Sequence, residues 1–478
     1  MNNPSRNPIE KIISASKPGI GHAPFEIRFV WIGLFFTISG GLTLGSLAAA
    51  IPVFELPFAN YYAIAYQLHG HLQLVAWTGC FIIPISLHFI PRFAGIPLKN
   101  PNVPFIVFLF FSASLFLRFF SQILLPAVPE SFFKIASWLV FLSAILFLTA
   151  IYFYIKSIFH VMGEAKKKIK RPALPPVAPF FMMVLAGWMG YAIVNTVLTF
   201  SMASEGKFLS DVVWDRFAVE FFIGFVLFPI SFSFAIRTFP LYLRLPATDW
   251  SVRKLAVFFL VTSLLALIPQ LPFMHTIASA KSANISAVGI ILRSLAVLWL
   301  IWKLDVLTRL QMNWVQKYEV EVPGDNRRST RPGMPDYGEF GKFELLIYAA
   351  FTWLVLGTIL QIINEVSFLW QGYRYIIDEA IRHIYLLGFI TNLILGMAPR
   401  MVPAFMGVKT VFRPNLVTWS FFLINFAAFA RIIPKLASNV FTRFGNILYG
   451  ISGLFAMASI ILLWLVLFNS RKVFNREA

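Results

Sequence analysis

The chain has 478 residues, 58% of them hydrophobic and 13% charged, with a formal net charge of +19. So few charges exclude an ordinary soluble domain, and the lone cysteine, Cys80, excludes both a disulfide framework and a C-x-x-C-H haem attachment. The basic excess has to be judged by where it lies.

Residues 1–27 form a polar, mixed tail without the apolar core of a cleavable signal. Twelve apolar spans follow, expected at 28–52, 60–90, 102–124, 132–156, 177–200, 214–240, 252–270, 284–304, 343–364, 375–402, 415–434 and 445–468. Each is long enough to cross the hydrocarbon layer, so residues 28–470 read as one all-α polytopic membrane domain. The 305–341 loop, rich in Gly, Pro and charge, is too short for a separate domain, and 471–478 is a short tail. Placing the N-terminus inside puts most of the 40 Lys and Arg in cytoplasmic segments, including KKKIKR at 166–171 and RRSTR at 327–331. That is the positive-inside pattern. It predicts cytoplasmic termini and contact with anionic lipid headgroups, with no nucleic-acid partner. Arg118, Arg293 and Arg382 are left inside spans.

An internal repeat is legible. His71 and His383 each precede a P-x-F-x-G motif by twenty residues, at Pro91 in PRFAG and Pro403 in PAFMG. Glu220 stands twenty residues before Pro240 in PLYLR, and His88, Arg237 and Arg400 lie three residues before the three prolines. Spans 2, 6 and 10 therefore read as equivalent members of three pseudo-repeated four-helix units.

At about 1.5 Å per residue, His71 and His383 lie some 15 Å along their helices, at one depth in the outer half of the bilayer. Matched imidazoles on two helices suit bis-axial ligation of a haem. His69, two residues from His71 in QLHGHLQLVAW, points about 200° away and so faces a second site, with Gly70 leaving room for a flat ring. The expected ligand set is thus a His71–His383 pair with His69 serving a further centre. Glu220 is a costly intramembrane carboxylate, a candidate proton relay or metal contact unless Arg216, one turn earlier, simply pairs with it. Arg374 and Arg382 are candidates to neutralise haem propionates, Arg382 at either haem. His22, His88, His160 and His275 read as boundary or loop residues, the last in the outer loop LPFMHTIAS.

The stretch QLHGHLQLVAW resembles the H-G-H-L segments of haem-copper oxidases and nitric oxide reductases, where alternate histidines of one helix serve two haems. Combined with RTFP at 237–240 and RHIYLLGFITNLILGMAPRMVP in span 10, it is similar to the NnrS family of haem- and copper-containing membrane proteins. The resemblance covers about a fifth of the chain and implies a haem-copper-oxidase-like fold of the bacterial inner membrane, with haem b, one or two per chain. It also implies a role in handling nitric oxide in denitrification or nitrosative stress. Spans 6 and 7 lack histidines and span 10 has one, so a copper site would be under-ligated, with only His69 and Glu220 to contribute. The expected function is nitric oxide handling, with electron transfer between two haem sites and electrons from quinol or a donor subunit. A divergent oxidase or nitric oxide reductase subunit and a haem-free secondary transporter stand as alternatives.

Overall fold

The computed structural model describes residues 23–168, 176–307 except 244, 246, 247 and 249, 338–436 except 409, and 443–477. The first 22 residues, the second half of KKKIKR, the RRSTR run and most of the 305–341 loop lie outside the described residues.

Twelve helices are long and apolar enough to cross a membrane. They are α1 Arg28–Phe54, α2 Ala59–Ala94, α3 Val103–Leu124, α4 Phe132–Lys168, α5 Ala178–Ser204 and α6 Val212–Pro240. The second half comprises α7 Val252–Gln270, α8 Lys281–Leu304, α9 Phe343–Gln371, α10 Asp378–Phe405, α11 Asn415–Leu436 and α12 Arg443–Ser470. The chain is a multi-pass, all-helical membrane protein. Its interior is set by burial: the most apolar windows of α2, α6 and α10 are 78%, 72% and 72% buried, against 39–56% in the other helices. The repeat-bearing helices are therefore central, and the others pack around them. Outer neighbours follow in order, α3 on α4, α4 on α5, α7 on α8, α8 on α9 and α11 on α12, and α12 packs against α1. Three four-helix units thus close into a ring about three inner helices.

The repeat extends to the backbone. Wide π-type turns span Leu72–Gly79 in α2, Ile223–Leu227 in α6 and Ile384–Thr391 in α10, beginning one, three and one residue after His71, Glu220 and His383. Such turns cluster at functional sites because they displace side chains from the regular helical lattice. A fourth lies in α1 at Thr37–Leu42. Pro91, Pro240 and Pro403 stand in the closing turn of their helices, where the missing N–H costs least continuation. The repeat partners before them share one environment. His88 meets the Phe405 ring at 4.7 Å, Arg237 lies over Phe93 at 5.6 Å, and Arg400 lies over Phe340 at 4.3 Å. His88 therefore sits among aromatic rings rather than on a solvated surface. The described α2, α6 and α10 run unbroken, without the paired interrupted helices of a transporter site.

Helix α9 runs on to Gln371 and the last helix continues to Glu477, into the segment expected as a tail, and two boundaries differ more. Helix α4 continues to Lys168 instead of ending near 156, because Lys166, Lys167 and Lys168 close its last turn, where cations complement the helix dipole. The segment LPFMHTIAS, expected as an outer loop, is helical from Pro272 onward, since proline suits a first helical turn. His275 is thus a helix residue.

Helices α7 and α8 meet at Gly289, where a methyl would fall 2.5 Å from the Leu265 carbonyl carbon and 2.7 Å from Ala266 Cα. Backbone cannot yield as a side chain can. Gly289→Leu should therefore destabilise the bundle by about 1–3 kcal/mol or more, the usual cost of overpacking. Thermal unfolding in detergent, followed by size-exclusion chromatography, measures it; an unchanged midpoint would contradict this close crossing.

Candidate functional site

A cavity of about 330 Å³ opens among the N-terminal halves of α2, α6 and α10, and α1, α5, α11 and α12 complete its wall. Its polar lining includes His69, His71, Asp215, Glu379, His383 and Arg431. The three histidines picked out by spacing therefore share one compartment, but they face different neighbours.

His69 and His383 turn toward the α1/α10/α11/α12 side. His69 Nδ1 lies 2.7 Å from the Gly41 carbonyl oxygen, and His383 Nδ1 lies 2.8 Å from the carbonyl of Glu379, one turn earlier. A carbonyl only accepts, so each Nδ1 carries the proton and each Nε2 keeps its lone pair. That tautomer is the one an imidazole needs to bind a metal through Nε2 while a backbone acceptor orients the ring. The two imidazoles are close enough to feel each other's charge, and both feel Arg431 and Glu379. Helix α1 reaches His69 through Gly45, where a methyl would meet the ring at 2.5 Å.

Arg431 organises the rim. Its Nη2 donates to the Gly45 carbonyl at 3.1 Å, its guanidinium lies 4.6 Å from the Tyr449 ring centre, and its buried Nη1 has no hydrogen-bond partner. Tyr449 donates to Glu379 Oε1 at 2.6 Å, returning the network to the helix that carries His383. Four helices are thereby tied around two imidazoles.

His71 faces the opposite way. Its Nδ1 is 3.3 Å from the Tyr191 hydroxyl, the two rings are stacked at 20°, and Phe147 stands edge-on at 6.3 Å. Arg118 and Asp215 are the charges around that corner. The Arg118 guanidinium is buried, with Nε and Nη1 lacking hydrogen-bond partners. The two-residue offset between His69 and His71 does place them on opposite sides of α2. The neighbour of His383 is His69, whereas the spacing had suggested His71.

The third sector holds the charged candidates. Glu220 forms an ion pair with Arg382 at 3.2 Å, and Arg216 pairs instead with Asp378 at 3.2 Å. Arg293 lies within Coulombic reach of Glu220, and Gly224 makes room for it, since a methyl there would come 3.1 Å from Nη1. Arg374 grips Glu365 with two bonds of 2.9 and 2.6 Å and is absent from the cavity lining. Of the two arginines expected near propionates, Arg382 lines the cavity and Arg374 is occupied elsewhere.

Arg431, Glu379, Tyr449 and Tyr191 were not singled out from the sequence. Arg431 lies close to a span end, and the others have no repeat partner to flag them. Among the described residues, no group of three or more His, Cys, Asp or Glu is arranged to hold a metal ion, so the donors do not fit a protein-ligated copper.

No protein-family model matches the chain, and no curated protein matches it. Among solved structures, it is similar to a heme-copper terminal oxidase determined as a dimer by cryo-EM, with a TM-score of 0.67 and 14% sequence identity. The match covers 98% of this chain and 84% of that one. The whole twelve-helix architecture is therefore haem-copper-oxidase-like, and at this identity the likeness concerns the fold.

The Glu220 and Arg382 side chains are only 23% and 13% exposed, so removing either strands the other. Glu220→Gln or Arg382→Met alone should each cost up to about 3–5 kcal/mol, and the double variant less than the sum. A double-mutant cycle of unfolding midpoints in detergent tests it; strictly additive effects would mean the ions do not interact.

Proposed function

We propose that this chain is a haem b-binding membrane redox protein of the NnrS type, in which His69 and His383 would hold one haem. The observation that carries this is the pair of imidazoles on different helices, each with Nδ1 tied to a backbone carbonyl and Nε2 left for a metal. Haem b, when bound, supplies one-electron chemistry. Arg431, with an unpartnered Nη1 on the same compartment, is the residue that would neutralise a propionate. Tyr449 and Glu379 hold that arginine's surroundings in place. The Gly41 and Glu379 carbonyls fix the two rings against rotation.

His71, on the other side of α2, is the residue that would hold a second haem, which would supply nitric oxide binding. Tyr191 orients its ring, and Arg118 supplies the compensating charge in that sector. Glu220 pairs with Arg382, which lines the compartment, and would exchange protons through that arginine's sector. Electrons would come from quinol or a donor subunit in the bacterial inner membrane, with both termini cytoplasmic. The reading is of a protein that handles nitric oxide in denitrification or nitrosative stress. Among the described residues, copper finds no set of three donors.

Purified protein reduced with dithionite should show sharp b-type absorption bands, and a colourless preparation overturns the proposal. His69→Ala and His383→Ala should each abolish the low-spin signal, whereas His71→Ala should leave it and remove the nitric oxide-induced shift. Loss of the low-spin signal in His71→Ala with its retention in His69→Ala would reverse the ligand assignment. Arg431→Met should retain both ligands but lower haem occupancy severalfold, measured as the haem-to-protein ratio after dialysis. Unchanged occupancy would remove its propionate role.

A further inference from the structure

A second cavity, of about 90 Å³, is lined only by residues of α2, α6 and α10. Its walls follow the internal repeat. Phe81, Ile230 and Leu393 stand ten residues beyond His71, Glu220 and His383 respectively, and all three line it. Ile82, Ser231 and Ile394 form the next register. Ile85, Phe234 and Met397 form another, one turn further along. The cavity therefore lies on the pseudo-threefold axis, toward the C-terminal ends of the central helices and beyond the wide turns.

Its chemistry narrows the occupant. Ordered water needs roughly 10–15 Å³ and two to four polar partners, and this space exceeds the first requirement while failing the second. Its only hydroxyls are Ser86 and Ser231, and that of Ser86 is engaged with Tyr154. Every lining residue belongs to α2, α6 or α10, the three most buried helices. A small apolar molecule suits this lining, as engineered apolar cavities of about 150 Å³ hold benzene or xenon and stay dry.

The cavity also adjoins the histidine compartment. Ile390 and Leu227, seven residues past His383 and Glu220, line the axial space, whereas Thr78, seven past His71, lines the histidine side. Thr391, next to Ile390, lines the histidine side as well. At this level the Trp77 indole donates to Thr391 Oγ1 at 3.2 Å, joining α2 to α10. Trp77 is 1% exposed and lines the histidine side only.

We propose that the axial cavity is a binding site for an apolar molecule of diatomic size, held below the histidine compartment. Its occupancy requires no haem; its use as a store for nitric oxide rests on the function proposed above. Step for step, the repeat makes this site: three equivalent helices of matched register leave a pocket where their axes would otherwise demand a tightly fitted side chain.

The test is a xenon-pressurised crystal of the full chain. One xenon peak is expected on the axis at the level of Ile82, Ser231 and Ile394. Ser231→Phe should remove the peak, and Ala398→Leu provides a second filling variant should the first fail to give a monodisperse preparation. Absence of xenon in the unmodified protein overturns the proposal, as does density for ordered water or an acyl chain. A coloured preparation without xenon sinks the site alone, whereas a colourless one that binds xenon sinks the proposed function and leaves the site standing.

Discussion

An imidazole placed inside a membrane bundle has to satisfy two nitrogens with almost no water to help. In this chain that requirement is met on one side by backbone: the Gly41 carbonyl accepts from His69 Nδ1 and the Glu379 carbonyl from His383 Nδ1. The surrounding architecture follows from it. Helix α1 can offer its carbonyl only because Gly41 and Gly45 let it lie against α2, where any side chain would strike Gln73 or the His69 ring. Arg431 then bonds the Gly45 carbonyl and stacks on Tyr449, and Tyr449 closes the circle to Glu379. Each link is modest alone, but in a low-dielectric interior an unmet polar group costs far more than a made bond returns.

The three sectors around the central helices share a ground plan and differ in content. One holds two imidazoles and a buried arginine, another holds His71, Tyr191 and Arg118, and the last holds Glu220 with Arg382 and Arg293. Each thus sets a cation of α3, α8 or α11 near a group carried by an inner helix. Symmetry of fold with asymmetry of chemistry is what allows neighbouring compartments to take different ligands without rebuilding the scaffold.

Much of this was legible in the sequence. Span positions and the equivalence of spans 2, 6 and 10 come from hydropathy and from the recurring interval before proline, and the axial cavity follows the same register residue by residue. The facing of side chains was not legible. His69 and His71 differ by about 200° whatever the rotation of α2, so the interval says that they diverge without saying which one meets α10. That depends on how α1 and α12 pack, through glycines whose partners lie far away in the chain. Arg431, Glu379 and Tyr449 come from three separate helices with no motif to join them. Pairing is likewise a tertiary fact: Glu220 sits one turn from Arg216, yet Arg382, on another helix, is the arginine it takes.

The wide turns carry a further consequence, for ancestry. A π-type turn holds an extra residue while leaving the flanking helix nearly in phase, so it is a place where a chain tolerates a change in length. All three inner helices nevertheless keep one interval, twenty residues from His71, Glu220 or His383 to the proline beyond the turn. Identical counts through three loosened segments are what descent from one repeated four-helix unit would leave.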